Sequence, residues 1–141
     1  MKILFATSEA VPFCKTGGLA DVAGSLPQAL AKAGNEVRVI LPLYQRVSDG
    51  WKDQMTFVCH IEVPLGWRRL YCGLFSLEKD GVTWYFVDNE YYFKRDALYG
   101  HYDDGERFGF FSRAVISLLP AMGELPDVIH CNDWQTALVP I

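Results

Sequence analysis

The spacing of apolar positions changes several times along the chain, and each change marks an element. Ile3-Leu4-Phe5-Ala6 is an unbroken apolar run, too short for a helix before Pro12, and predicts a buried parallel strand over residues 2–7. Leu19, Val22, Ala23, Leu26, Ala29 and Leu30 then recur at i, i+3, i+4 and i+7, the stripe of an amphipathic helix. Pro27 falls inside the stripe and removes one backbone donor, so the helix is expected to kink there or to begin late. Gly34-Asn35 closes it. Val37, Val39, Ile40 and Leu41 predict a second strand over 36–41 that Pro42 ends, completing a β-α-β unit with a right-handed crossover.

Beyond residue 49 the pattern becomes strand-like. Three runs, 55–63, 68–77 and 82–87, are separated by Pro64-Leu65-Gly66 and Lys79-Asp80-Gly81, and Asp80-Gly81 is a strong hairpin signal. No linker-like composition flanks them, which predicts an antiparallel insertion or edge extension within one domain. Residues 90–105, rich in Tyr, Asp and Gly, read as an ordered loop. Phe108, Phe111, Ala114, Val115, Leu118 and Leu119 predict a helix over 106–122, and a last short parallel strand follows over 127–131. The expected architecture is a Rossmann-like three-layer α/β/α lobe carrying an antiparallel β-hairpin insertion.

With 141 residues, 50% of them hydrophobic, the chain has one domain's worth of core. A net charge of −4 argues against nucleic acid or an anionic membrane held by a general basic field. No apolar run approaches a membrane span and no cleavable leader is recognisable, so a cytoplasmic setting is expected. Cys14, Cys59, Cys72 and Cys131 are scattered, and with His60, His101 and His130 they lack the clustered spacing of a zinc site. Buried, reduced thiols are expected, with no metal and no cofactor.

The chemistry concentrates in Lys15-Thr16-Gly17-Gly18-Leu19-Ala20-Asp21-Val22, which links the first strand to the first helix. A glycine pair there can adopt positive φ and approach a ligand closely, and a helix start with a neighbouring lysine favours phosphate. The spacing is neither the dinucleotide G-x-G-x-x-G nor the G-x-x-x-x-G-K-[ST] loop, so a plain strand-to-helix turn stays open as the alternative. Asp21 either contacts a ligand or complements the first turn of its helix. Asp133 either serves a substrate cleft or caps the helix it precedes. In open α/β sheets ligands gather outside the carboxyl ends of the strands, which brings 15–21 and 132–134 to one crevice.

The signature at 15–22, with Gly24, Leu26 and Pro27 behind it, resembles the N-terminal signature of bacterial glycogen synthases and plant starch synthases. Further matches follow in order: Ser8-Glu9 and Pro12, Leu41-Pro42 and Tyr44, Leu98-Tyr99-Gly100, Asp104, Glu106-Arg107-Phe108, Phe111-Ser112-Arg113-Ala114, and His130-Cys131-Asn132-Asp133-Trp134-Gln135-Thr136-Ala137-Leu138. The resemblance spans essentially the whole chain. It implies a retaining GT-B glycosyltransferase that moves glucose from ADP-glucose to the non-reducing end of an α-1,4-glucan such as glycogen. It assigns Lys15, Gly17, Gly18 and Asp21 to the donor, Tyr99 and Asn132 to the substrate cleft, and a catalytic or sugar-binding role to Asp133. Asn132 stands where some bacterial members carry histidine. Family enzymes have a second lobe, with its Arg, Lys and Glu, and a Thr-Val-His-Asn segment that this sequence lacks. Residues 1–141 are therefore expected to be an incomplete N-terminal Rossmann-like domain without the C-terminal lobe, inactive alone. The alternative is a non-catalytic module that binds glucan or nucleotide sugar. An oxidoreductase lobe is disfavoured because Leu41-Pro42 ends the second strand where an acidic residue would be needed.

Overall fold

The structure is a computed structural model describing residues 1–141. Four strands run parallel: β1 (Lys2–Ala6), β2 (Glu36–Pro42), β5 (Val82–Asp88) and β6 (Val128–Cys131). β3 (Thr56–Leu65) and β4 (Arg68–Lys79) extend the sheet by antiparallel pairing, giving the order β3-β4-β5-β2-β1-β6. The hairpin is thus an edge extension of the same sheet. The turn that joins β4 to β5, Asp80-Gly81, has φ of 55° and 74°, the paired positive values that a type I′ turn needs and that this dipeptide tolerates. The central strands are apolar over most of their length because both of their faces are covered: Leu4, Phe5 and Ala6 of β1 and Val39, Ile40 and Leu41 of β2 are buried.

Helix α1 (Gly18–Lys32) joins β1 to β2 and runs on through Pro27, which is buried within it, so the late start does not occur. Gly34, at φ 99°, closes the helix where a left-handed residue is required. Gly24 sits where α1 meets the preceding loop: a Cβ there would come within 2.9 Å of the Val11 carbonyl oxygen. α2 (Gln45–Trp51) follows β2. The stretch expected to be irregular contains a helical turn, α3 (Glu90–Phe93), nucleated by the Asn89 side chain accepting the Tyr92 N–H at 3.0 Å. α4 (Asp104–Ser117) ends earlier than its apolar stripe suggested, and Leu119–Met122 forms a 3-10 turn instead. Pro120 explains the change, since it lacks the N–H that would continue the α-helix and its ring crowds the preceding turn.

The two parallel crossovers that start from β1 and arrive at β6 run to opposite sides of β1. The right-handed rule places α1 and α4 on opposite faces of the sheet. Strand order therefore reverses between β1 and β6, the position at which an open α/β sheet leaves a crevice. Phe13 locks the chain leaving β1 into the core, meeting Trp51, Trp84 and Phe86 edge-on at centroid distances of 4.9, 4.9 and 5.1 Å. Cys14 and Cys72 are buried, Cys59 and Cys131 only half-buried, and all four are free thiols. No helix is long and apolar enough to cross a membrane.

Candidate functional site at the strand switch

The crevice has two walls. Ala6 of β1 is in register with Cys131 of β6, so the segments that leave these strands start side by side. The Asn132 side-chain N–H donates to the Ala6 carbonyl at 2.8 Å and ties the walls together at their base. Thr7, Ser8 and Glu9 continue from β1 and are all buried.

On the β1 wall the loop folds back on itself. Phe13 and Cys14 both donate their N–H groups to the Ala10 carbonyl at 3.0 Å, and Glu9 Oε2 accepts the Thr16 N–H at 2.5 Å and the Thr16 hydroxyl at 2.9 Å. Gly17 is extended, with φ of −158°, and Gly18 is not left-handed either, so the expected positive φ is not used. What the pair provides is space: a Cβ at either glycine would meet no atom within 4 Å. The first amides of α1 have no acceptor within the helix. Gly17, at the N-cap, supplies no side-chain cap. Lys15 Nζ reaches Asp21 at 2.7 Å, both side chains about half exposed. The loop thus brings Lys15, Gly17, Gly18 and Asp21 together.

On the β6 wall the capping alternative for Asp133 does not hold. Asp133 makes no side-chain bond to the following 3-10 turn, Trp134–Thr136. Thr136 does that work, its hydroxyl accepting the Asn132 N–H at 2.7 Å and donating to the Asn132 carbonyl at 2.8 Å. Asp133 has φ of 59° and ψ of −175°, a conformation that costs a non-glycine residue on the order of 1–3 kcal/mol and persists only where the surroundings impose it. Its carboxylate is left exposed at the crevice.

Tyr99 spans the walls. Its hydroxyl lies 2.7 Å from Ser8 Oγ, while the Tyr44 hydroxyl donates to the Ser8 carbonyl at 2.7 Å. The Tyr99 ring packs on Phe108, whose edge meets Trp134 at 5.2 Å. Burial pushes the Tyr99 phenol well above its ordinary range; the Ser8 hydrogen bond opposes this, and the nearby Glu9 and Asp133 carboxylates add to it. Tyr99 is a neutral hydroxyl at physiological pH.

Two residues gain a place that sequence reasoning did not give them. Glu9 holds the loop, as described. Arg107, fully buried, donates Nε to the Tyr92 carbonyl at 2.7 Å and Nη1 to the Leu98 carbonyl and Asp104 Oδ1, each at 2.9 Å. It clamps α3, the segment before Tyr99 and the start of α4. Asp104, Arg107, Phe108 and Phe111 share one helical face, but that spacing does not name the Tyr92 and Leu98 carbonyls that Arg107 bonds. No three His, Cys, Asp or Glu side chains gather to hold a metal ion. A separate groove of about 500 Å³, lined by Leu65, Ile116 and Leu138 among others, contains none of the crevice residues.

The sequence model of the family described as the starch synthase catalytic domain matches residues 2–141. The chain is 59% identical over 140 residues to a glycogen synthase of Geobacillus thermodenitrificans, covering 99% of this chain and 29% of that protein. To a glycogen synthase of Clostridium kluyveri it is 54% identical over 141 residues, covering 100% of this chain and 30% of that one. Among solved structures, the catalytic domain of starch synthase IV from Arabidopsis thaliana bound to ADP and acarbose matches with a TM-score of 0.86 and 32% identity, over 98% of this chain and 29% of that one. The chain thus spans less than a third of the length of the curated relatives it matches. A match that runs from residue 2 to residue 141, on a sheet whose switch point gathers the signature residues, means that the chain belongs to the starch synthase catalytic domain family.

Proposed function

We propose that the chain is the first part of the N-terminal lobe of a GT-B glycogen (starch) synthase, which transfers glucose from ADP-glucose to the non-reducing end of an α-1,4-glucan with retention. The observation that carries the reading is the tie of Asn132 to Ala6 at the β1/β6 switch, from which the chain runs on through Glu9, bonded to Thr16, into the Lys15–Asp21 loop. The glycogen synthase relatives support the reaction class, and the Arabidopsis neighbour, bound to ADP and acarbose, supports an ADP-bearing donor.

Breaking the bond between glucose and the diphosphate builds negative charge on the departing group. Donors already in place around that charge stabilise the transition state more than the ground state. The open first-turn amides of α1 and the Lys15 ammonium are such donors. At rest Lys15 faces Asp21, and an exposed ion pair is worth about 0–1 kcal/mol, so a diphosphate displaces Asp21 at little cost. The Tyr99 hydroxyl and the exposed Asp133 carboxylate are placed for sugar hydroxyls. The remaining groups of the reaction belong to the second lobe of the full-length enzyme.

Titration of the isotope-labelled chain with ADP tests the donor site. The expected result is movement of the Gly17, Gly18 and Leu19 amide resonances. Movement confined to residues outside the crevice contradicts the assignment.

A further inference from the structure

Glu9 takes part in none of the chemistry above, yet it is only 4% exposed, an unusual place for a carboxylate. We propose that Glu9 is a positioning residue that fixes the diphosphate loop and moves the anion seat one residue along, to Gly17, Gly18 and Leu19; this rests on the donor reading above.

A buried carboxylate persists where hydrogen bonds replace its lost water. Glu9 Oε2 obtains two from one residue, the Thr16 N–H and the Thr16 hydroxyl. Such charge-assisted bonds are roughly twice as strong as neutral ones. Glu9 is itself held, since the Thr7 hydroxyl donates to its carbonyl at 2.9 Å. The carboxylate therefore closes the loop from its first residues to the residue just before Gly17, with Phe13 anchoring the middle in the core. Beyond Thr16 no side chain caps the start of α1. Glu9 is what sets the direction in which the Gly17 and Gly18 amides point.

Two acidic residues thus divide the work. Asp21 is half exposed and yields Lys15 to an arriving anion. Glu9 is buried and stays. Because Glu9 already occupies the Thr16 N–H, Thr16 is not a ligand of the diphosphate, although it lies in the signature stretch.

The test uses the whole labelled chain, inorganic pyrophosphate as the probe, amide hydrogen exchange, and the variants Glu9→Gln, Glu9→Asp and Glu9→Ala. In the parent chain the Thr16 amide is protected and does not shift with pyrophosphate, while Gly17, Gly18 and Leu19 do. Glu9→Gln keeps an acceptor and removes a negative charge, so it retains Thr16 protection and binds pyrophosphate at least as tightly. Glu9→Asp keeps the charge but falls one methylene short, and Glu9→Ala has no acceptor. In both, Thr16 exchange rises at least ~10-fold and pyrophosphate binding weakens roughly 5–10-fold. Glu9→Asp decides the matter if Glu9→Ala does not fold. Thr16 exchange unchanged in Glu9→Asp, or a Thr16 resonance that shifts with pyrophosphate, overturns the proposal. Gly17, Gly18 and Leu19 resonances that stay still in the parent chain overturn the phosphate reading instead, and the exchange comparison still decides the role of Glu9.

Discussion

Asn132 and Ala6, far apart in sequence, meet at 2.8 Å, where the Asn132 side-chain N–H donates to the Ala6 carbonyl. The contact lies where two parallel strands release their chains into the crevice, so it sets the spacing between the walls. Asn132→Ala removes the donor and is expected to cost about 1–2 kcal/mol in denaturant unfolding. Asn132→Asp cannot donate and sets a carboxylate against the carbonyl, so it is expected to cost at least as much.

Gly18 and Gly24 lie on the same helix and should respond in opposite ways. Gly24→Ala drives a Cβ against Val11 and is expected to destabilise by about 1–3 kcal/mol. Gly18→Val meets open space, so the unfolding midpoint should hardly move, while pyrophosphate binding falls because the side chain fills the anion's place. Paired melting and binding measurements on the two variants check this.

Arg107→Met strips donors from the Tyr92 and Leu98 carbonyls and leaves Asp104 without its partner. A loss of about 3 kcal/mol or more is expected from thermal or chemical unfolding. Arg107→Lys should recover only part of it, since an ammonium cannot reach the three acceptors that a guanidinium spans.

The buried thiols set an alkaline limit. Burial pushes Cys14 and Cys72 from 9.0 up to about 12. Unfolded, both lose their protons above pH 9, while folded they keep them, so the unfolded state binds fewer protons and stability falls between pH 9 and pH 12. Replacing both with Ser is expected to flatten this decline in denaturant titrations across that range. In the parent chain at pH 8, alkylation should modify Cys59 and Cys131 before Cys14 and Cys72.

Strands, the first helix and the Asp80-Gly81 turn were legible because each is written in a local pattern: continuous apolar runs, a 3.6-residue stripe, a dipeptide suited to left-handed backbone. The chain order of the signature stretches was legible too, and with it the family. The earlier end of α4 was also written locally, in Pro120, but the apolar Leu118-Leu119 continuation masked it because a 3-10 turn presents a similar face. Glu9, Arg107 and the backbone of Asp133 were not legible, for a common reason. Glu9 closes a loop of non-periodic residues, Arg107 answers carbonyls from segments that precede its helix, and the Asp133 conformation is imposed by Thr136 bonding back to Asn132. In each case the partner is chosen by tertiary packing, which hydrophobic periodicity does not encode.

The most direct test joins this chain to the remainder of the Geobacillus glycogen synthase and measures transfer of labelled glucose from ADP-glucose to glycogen, beside the 141-residue chain alone. Transfer by the joined protein, none by the short chain, and a fall of about 10-fold or more with Lys15→Ala is the predicted result. Transfer by the short chain alone, or a folded joined protein indifferent to Lys15→Ala, would contradict the account.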